Sequence, residues 1–338
     1  MDVEQEEVQF LGLFGILKQT CNLIYTWRNI FTQITLALIL PLSFIFLAQI
    51  EISNIILSKL ILNEFVSLDT QKGTKLHNKA SDLVTTELIE LLLFKFIYFT
   101  FVLILSLLST SAVVYTVASA YTSREISFKR VMSVVPRVWK RLMATFLCMF
   151  IAIFVYNFCF ILVITLCEYL FIGQQQRLFD VTELIFLGLF SILYFFGMVY
   201  MTIVWRLACV VSVLEDSYGF QAVIKSQNLL KGKLLVTGFI FLVLNILVGA
   251  LTSGFQMLVV NGEKHGMVQR VVFGVMALLL LLGLLLFWLV VETVIYFVCK
   301  SYHHENIDKS SLSDHLELYL GEYVPLKARD VQLEHFYV

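Results

Sequence analysis

Two charged residues, Arg206 and Glu292, lie within apolar stretches and are the first candidates for chemistry. Arg206 precedes the end of its stretch at Leu214 by eight residues, and Glu292 precedes Cys299 by seven. At the rise of a helix, both lie roughly 10 Å from the end of a membrane span. A charge at such depth is costly without a partner. We therefore predict an Arg206–Glu292 ion pair, serving as an interhelical clamp or as a substrate or proton site. No acid or histidine aligns with them as a relay, which favours the clamp.

Other residue patterns carry little catalytic chemistry. The chain lacks the H-E-x-x-H, G-x-S-x-G, Walker and C-x-x-C patterns. His303-His304-Glu305 has the residue types of a metal site, but its place after an apolar stretch favours a solvated turn. The apolar stretches contain no His or Asp, which excludes the usual intramembrane protease pairs. We predict a non-enzymatic protein with no metal and no cofactor.

Composition places these residues in a membrane protein. Hydrophobic residues make up 59% of the 338 positions and charged residues 14%, whereas soluble domains contain about a quarter charged residues. The mean hydropathy is +0.86. The net charge of −1 gives no indication of a nucleic-acid partner.

Six apolar stretches are long enough to cross a bilayer, which requires about 20 residues for a core about 30 Å thick. We expect a kink at Pro41 in the first. The long connection at residues 51–90 is expected to continue the first helix and then become an exposed loop. The predicted spans are Ile30–Ile50, Leu91–Tyr121, Leu142–Phe171, Leu184–Leu214, Leu234–Val260 and Val271–Cys299.

The second predicted span is rich in small and hydroxyl-bearing residues. Ala112, Thr116 and Ala120 are four residues apart, a spacing that lets helices pack closely. Ser106, Ser109 and Thr110 lie earlier in the same span. The pattern indicates either close helix packing, the commoner meaning, or a polar path through the membrane.

Cationic amphipathic segments lie between the spans. In residues 123–142 an apolar stripe recurs with helical spacing, and the cations lie on other faces. We expect a helix lying flat on the bilayer, with its stripe on lipid and its cations among anionic headgroups. A second segment, residues 215–233, is similar, and residues 8–27 form a weaker one. The stripe is Phe128, Val131, Val135, Val138 and Leu142, and the predicted headgroup contacts are Arg124, Lys129, Arg130, Arg137, Lys140, Arg141, Lys225, Lys231 and Lys233.

The order of segments suggests three repeats of an amphipathic helix followed by an outward and a return span. The alternative is that any six-span protein carries such helices at its cytosolic edge. Most Lys and Arg residues outside the spans fall on one side, which predicts cytosolic N- and C-termini. The expected fold is an all-α membrane bundle at residues 30–300, with a cytosolic N-terminal part at 1–29 and a cytosolic tail at 301–338.

The tail has features of a membrane-trafficking signal and of a segment that binds a protein partner. Tyr323-Val324-Pro325-Leu326 has the form of a tyrosine-based sorting signal, and apolar and charged residues alternate over residues 312–323. We therefore expect an endomembrane or plasma-membrane location and a short helix that docks a protein.

Parts of the chain resemble known families. Residues 299–305 and 314–327 resemble a family of uncharacterised plant six-span membrane proteins. Residues 213–233 are distantly similar to a bacterial membrane domain found beside glycerophosphodiester phosphodiesterases. The phosphodiesterase domain itself has no counterpart here, so the resemblance implies a membrane fold but neither that activity nor any site residues.

Two functions remain open at this point. The first is a non-enzymatic membrane protein that organises lipids or partner proteins through its cationic segments. The second is a transporter, channel or lipid-translocating protein in which Arg206, Glu292 and the hydroxyl-rich second span face a cavity.

Overall fold

The computed structural model describes residues 12–69, 74–122, 127–171, 177–262 and 266–303. Every regular element in these ranges is helical. The sequence predictions for Arg124, for the His304-Glu305 pair, for the N-terminal residues 1–11 and for the tail from residue 304 onward concern residues outside this description.

Nine α-helices and two π-helical turns make up the described chain, and six helical segments are long and apolar enough to span a membrane. The predicted all-α, six-span fold is therefore confirmed. The helices are α1 Leu13–Thr26, α2 Arg28–Ile34, α3 Leu40–Asp69, α4 Lys75–Tyr121, α5 Phe128–Phe171, α6 Arg177–Leu214, α7 Phe220–Leu230, α8 Leu234–Phe255 and α9 Met267–Tyr302.

The outer surface of the spans is strongly apolar. Large side chains such as Phe154, Leu193 and Leu279 are more than half exposed. A soluble protein rarely exposes so large a contiguous apolar surface. Lipid is the solvent that fits this surface.

The protein core lies where three spans converge. Helices α4, α6 and α9 contact one another in all three pairings. Their C-terminal parts, residues 107–119, 203–214 and 288–301, are almost wholly buried and form what we call the return core. Ala112 and Thr116 are fully buried in it, so the small residues of the second span do serve close packing. We call this end of the bundle the cationic end.

Each helix that carries a predicted amphipathic segment contacts one of the three helices of the return core. Helix α7 packs on α6, the α5 helix contacts α4, and α1 contacts α9, the last helix of the chain. These contacts do not test the triple repeat, which stays a prediction.

The predicted surface helix at residues 123–142 is wrong in two respects. It is continuous with the third span, since α5 runs unbroken from Phe128 to Phe171 through Pro136. Its apolar stripe also faces protein instead of lipid, because Val131, Val135, Val138 and Leu142 are at most 1% exposed. Helical periodicity identifies an apolar face, but it does not say whether lipid or protein covers that face.

The predicted loop after the first span is also wrong in its second half. Helix α3 continues to Asp69, and α4 begins at Lys75, where the Thr74 hydroxyl accepts a hydrogen bond from the His77 backbone N–H. Asn63 of α3 donates a hydrogen bond of 2.8 Å to Glu87 of α4. The two arms therefore pack as a helical hairpin.

A π-helical turn, Thr35–Ile39, precedes Pro41, where the sequence predicts a kink. Proline has no backbone N–H to donate to the carbonyl four residues earlier, so regular α-helical bonding is interrupted at this level. The departure from α geometry thus lies directly before the proline.

Candidate intramembrane binding site

The predicted contact between Arg206 and Glu292 is present. Arg206 lies on α6 and Glu292 on α9, and Nη1 of the arginine is 3.3 Å from Oε1 of the carboxylate. Both residues belong to the return core, where α6 and α9 pack against each other. The ion pair therefore joins the fourth and sixth spans at a shared depth.

Trp288 completes the cluster from one turn earlier on α9. Its indole N–H donates a hydrogen bond to Glu292 Oε1, and the Arg206 guanidinium lies over its ring, 5.2 Å from the centroid. The carboxylate thus receives a hydrogen bond as well as an ion pair. Such contacts compensate the cost of removing its charge from water.

The two charges differ sharply in exposure. The Glu292 side chain is 2% exposed, whereas the Arg206 side chain is 36% exposed. A guanidinium carries five N–H donors. In the part of the chain that the structure describes, Glu292 and the Trp288 ring are the partners of this guanidinium. Arg206 therefore retains donors that a ligand can use.

Two cavities meet at Arg206. The first has a volume of about 190 Å³ and lies among α4, α5, α6 and α9. The second has a volume of about 260 Å³ and lies among α3, α4, α8 and α9, with Arg206 of α6. Ser106 of α4 also lines both. The arginine thus lies at the junction of two spaces within the bundle.

Polar groups of the second span line these cavities. Thr110 lines the first cavity, and Ser109 lines the second together with Asn245 of α8. The Ser109 and Thr110 hydroxyls donate to carbonyl groups of their own helix, so their oxygens can still accept. Different residues of the hydroxyl-rich span thus pack closely or line a cavity, and the polar path through the membrane stays a prediction.

The remaining walls are aromatic and aliphatic. Phe99, Phe146 and Trp205 line the first cavity, and Phe46, Leu281 and Leu285 line the second. A planar guanidinium binds carboxylate or phosphate through paired hydrogen bonds. The site therefore combines an anion-binding group with walls suited to hydrocarbon.

A second polar cluster, which the sequence reasoning missed, lies at the cationic end around Glu215. Its Oε1 accepts hydrogen bonds from Tyr296 at 2.6 Å and from Lys300 at 2.9 Å. Its Oε2 lies 2.6 Å from Nζ of Lys225. Burial favours a higher pKa for Glu215, but the hydrogen bonds from Lys225, Tyr296 and Lys300 outweigh it and lower the pKa. One carboxylate thus ties α7 and α9 to the end of α6.

Several of the cations predicted to contact headgroups have protein partners. Lys225 contacts Glu215, and Arg141 lies 3.0 Å from Asp216. Lys231 donates to Asn228 Oδ1, and Lys233 lies over the Tyr302 ring. For Lys225, held on a mostly buried carboxylate, the structure replaces the predicted headgroup contact with an ion pair. Lys129, Arg130, Arg137 and Lys140, which the sequence also predicts to contact headgroups, are exposed on α5.

His303 serves as a helix cap. Its Nε2 atom lies 3.2 Å from the Leu229 carbonyl oxygen and 3.0 Å from the Lys231 carbonyl oxygen. Because a carbonyl oxygen only accepts, Nε2 is the donor to both groups at the end of α7. Among the described residues, no group of three His, Cys, Asp or Glu side chains lies close enough to hold a metal ion. His303 thus contributes to packing, and the other two residues of the predicted metal motif lie outside the described chain.

Comparison with known proteins places the chain by family. No curated protein and no solved structure matches it. One family model matches residues 1–336, almost the whole chain. The protein therefore belongs to the family described as Domain of unknown function (DUF8558).

Proposed function

We propose that this protein binds an anionic amphiphile within the bilayer and handles it as a transporter or lipid-translocating protein, without catalysing a reaction. The ligand class is a molecule with a phosphate or carboxylate headgroup and a hydrocarbon chain. The supporting observation is Arg206, a partly exposed guanidinium at the junction of two cavities within a membrane-spanning bundle.

The unequal exposure of the ion pair supports a ligand over a simple clamp. An ion pair that only clamps two helices stabilises the bundle most when protein buries both charges. A guanidinium that is partly exposed in an apolar medium keeps N–H donors without hydrogen bonds, which is costly. Glu292 meets this condition and Arg206 does not. Arg206 lies about 12 Å from the end of α6, at 1.5 Å per residue. An anion at that depth would satisfy its remaining donors.

The size and lining of the cavities support a headgroup as the bound part. Their volumes, about 190 and 260 Å³, are below the range of about 300–1,000 Å³ usual for whole small-molecule ligands. Ser106 and Thr110 offer hydroxyl groups beside Arg206. The hydrocarbon chain would then lie along aromatic walls such as Phe99 and continue into the surrounding lipid.

Native mass spectrometry of the full chain tests this proposal. Wild-type protein from nanodiscs with phosphatidic acid or a fatty acid should retain the anionic amphiphile, and Arg206→Gln should reduce retention about tenfold, as expected for loss of a charged hydrogen bond. Arg141→Gln, which breaks the Arg141–Asp216 pair, is the matched control and should retain the ligand. The double variant Arg206→Gln/Glu292→Gln removes both charges and should also lose the ligand. Equal retention by Arg206→Gln and wild type would refute the proposal.

The exposed cations of α5 support a second function, attachment to anionic headgroups or partner proteins at the membrane surface. Lys129, Arg130, Arg137 and Lys140 are exposed, while the valines between them are buried. Changing these four residues to Gln should weaken binding to anionic vesicles and alter localisation. Unaltered vesicle binding and localisation of this variant would contradict the second function.

We also propose that the cationic end faces the cytosol in the endomembrane system or the plasma membrane. The Lys and Arg bias supports this orientation. Protease protection of tagged protein in sealed vesicles tests it, with both termini expected to be cleaved from the cytosolic side.

A further inference from the structure

An apolar groove lies at the end of the bundle opposite the cationic end. Its volume is about 480 Å³, and it opens among α3, α9, the end of α8 and the π-helical turn Gln256–Val260 that follows α8. Its lining includes two charged residues, Glu51 and Arg270, and is otherwise apolar or glycine. The apolar lining consists of Phe44, Leu47, Ala48, Phe255, Val259, Met267, Val271, Val275 and Leu278.

From the length of the first span, we expect the two charged residues to lie at the level of the headgroups. Glu51 is 23 residues beyond Arg28, the start of the first span, which corresponds to about 34 Å of helix. That distance matches a hydrocarbon core of about 30 Å. From Arg270 to Leu278 the groove descends about 12 Å along α9. It therefore has a charged rim at one interface and an apolar floor that enters the hydrocarbon region.

The two rim charges are loosely paired and keep bonding capacity. Nε of Arg270 donates to the Val259 carbonyl at 2.7 Å, which fixes the guanidinium. Nη2 of Arg270 is 3.7 Å from Glu51 Oε1, longer than a hydrogen bond. Glu51 Oε2 has no hydrogen-bond partner among the described residues. Within the described chain, the buried Oε2 of Glu51 thus accepts no hydrogen bond, and the Arg270 guanidinium has N–H donors that no described residue uses.

We propose that this groove binds a phospholipid with a zwitterionic ethanolamine headgroup. One acyl chain occupies the apolar floor, the phosphate accepts hydrogen bonds from Arg270, and the primary ammonium donates to Glu51. A choline headgroup has no N–H to donate to Glu51. A headgroup that is only anionic gains from Arg270 but is repelled by Glu51. The rim therefore selects ethanolamine over choline and glycerol headgroups. This site lies apart from the Arg206 cavities and goes beyond the proposed function.

Gly274 offers a variant that closes the groove. It lines the groove, and a Cβ atom added there meets nothing within 4 Å. Gly274→Leu should fill the space with little strain on the neighbouring helices. Gly283, on the same helix, also has open space at its Cβ position but does not line the groove. Gly283→Leu is therefore the matched control.

The test is native mass spectrometry of the full-length protein with phosphatidylethanolamine, phosphatidylcholine or phosphatidylglycerol of identical chains. In the Arg206→Gln background, which removes the intramembrane anion site, the protein should retain the ethanolamine lipid about fivefold or more over the other two, as a charged hydrogen bond predicts. Gly274→Leu should lose it and Gly283→Leu should keep it. Glu51→Gln should abolish the preference over phosphatidylcholine.

Three results would overturn the proposal. They are wild-type retention by Gly274→Leu, an unchanged preference in Glu51→Gln, and, in the Arg206→Gln background, stronger binding of phosphatidylglycerol than of phosphatidylethanolamine. Arg206→Gln should leave the retention of phosphatidylethanolamine unaltered. This variant therefore distinguishes binding in the groove from binding at the intramembrane anion site.

Discussion

At the scale of single residues, the Arg206–Glu292 ion pair joins two spans, and the proposed binding function depends on the same arginine. Glu292 is enclosed by α9 and α6, accepts a hydrogen bond from Trp288 and anchors the arginine. Arg206 gives one side of its guanidinium to this anchor and lines both cavities. The carboxylate thus holds the cation in place at a depth where an isolated charge would be costly.

Glu215 has a comparable role outside the membrane spans. Glu215→Gln leaves Lys225 and Lys300 without a carboxylate, and we expect a loss of about 2–3 kcal/mol in the free energy of unfolding. Thermal unfolding in detergent measures the change. Asp216→Asn, next in the chain, removes a mostly exposed partner of Arg141 and should cost less than about 1 kcal/mol. Equal losses for the two variants would contradict this role.

The same carboxylate predicts a pH dependence. Its pKa in the folded protein is lowered, so its contribution to stability is fully present above the ordinary glutamate pKa of about 4.3. The contribution is lost as the pH falls through the lower native value. Wild type should therefore lose stability relative to Glu215→Gln in this acid range. Parallel stability curves down to pH 3 would contradict the assignment.

The sequence predicts one of these clusters and not the other for a physical reason. The position of a charged residue within an apolar run gives its depth in the membrane. Two opposite charges at equal depth therefore predict an ion pair. Two of the three partners of Glu215, Tyr296 and Lys300, are 81 and 85 residues away on another helix. Periodicity along one helix contains no information about which helices are neighbours. The position of Glu215 directly after an apolar run was the available signal.

At the scale of elements, helix α7 depends on two glycines with positive φ. Gly219, with φ of 61°, precedes the helix, and its N–H donates to the Thr145 hydroxyl at 2.8 Å. Gly232, with φ of 88°, follows the helix, and a Cβ atom there would lie 2.5 Å from the Tyr302 ring. Backbone conformations with such φ values favour glycine.

These glycines predict a graded effect of alanine. Gly219→Ala introduces backbone strain alone, because nothing lies within 4 Å of its Cβ position, and should cost about 1–2 kcal/mol. Gly232→Ala adds a collision with Tyr302 and should cost more. Removing the ring with Tyr302→Ala in the Gly232→Ala background should restore part of the loss. The denaturation midpoints of the four proteins test the order, and a larger loss for Gly219→Ala would contradict it.

Two helical elements differ from what their sequence patterns predict. The apolar stripe beginning at Phe128 correctly predicted a helix, but return-core packing covers the stripe that was assigned to lipid. In residues 51–90, polar residues suggested a loop where two helices pack as a hairpin. In both cases the local sequence is compatible with two environments, and tertiary contacts decide between them.

At the scale of the whole molecule, the groove and the second cavity lie along the same three helices, α3, α8 and α9. Leu47 and Phe255 line the groove, Leu281 lines the cavity, and the three side chains pack together. This small cluster therefore separates a proposed lipid site at one interface from the Arg206 site nearer the other. The arrangement suits a protein that handles lipid from both leaflets.

The six spans were predictable because membrane spans are defined by length and hydropathy alone. The cavities were not, because an empty volume depends on how several helices diverge. Arg206 was the exception, since its charge within an apolar run marked the place where such a volume would form.

The most direct test of the central claim is a cryo-electron microscopy structure of the full chain in nanodiscs that contain an anionic amphiphile. We predict density in the Arg206 cavities, with an anionic headgroup within hydrogen-bonding distance of the guanidinium and a hydrocarbon chain leading toward lipid. Cavities that contain only water, or that close while Arg206 contacts Glu292 alone, would contradict the claim.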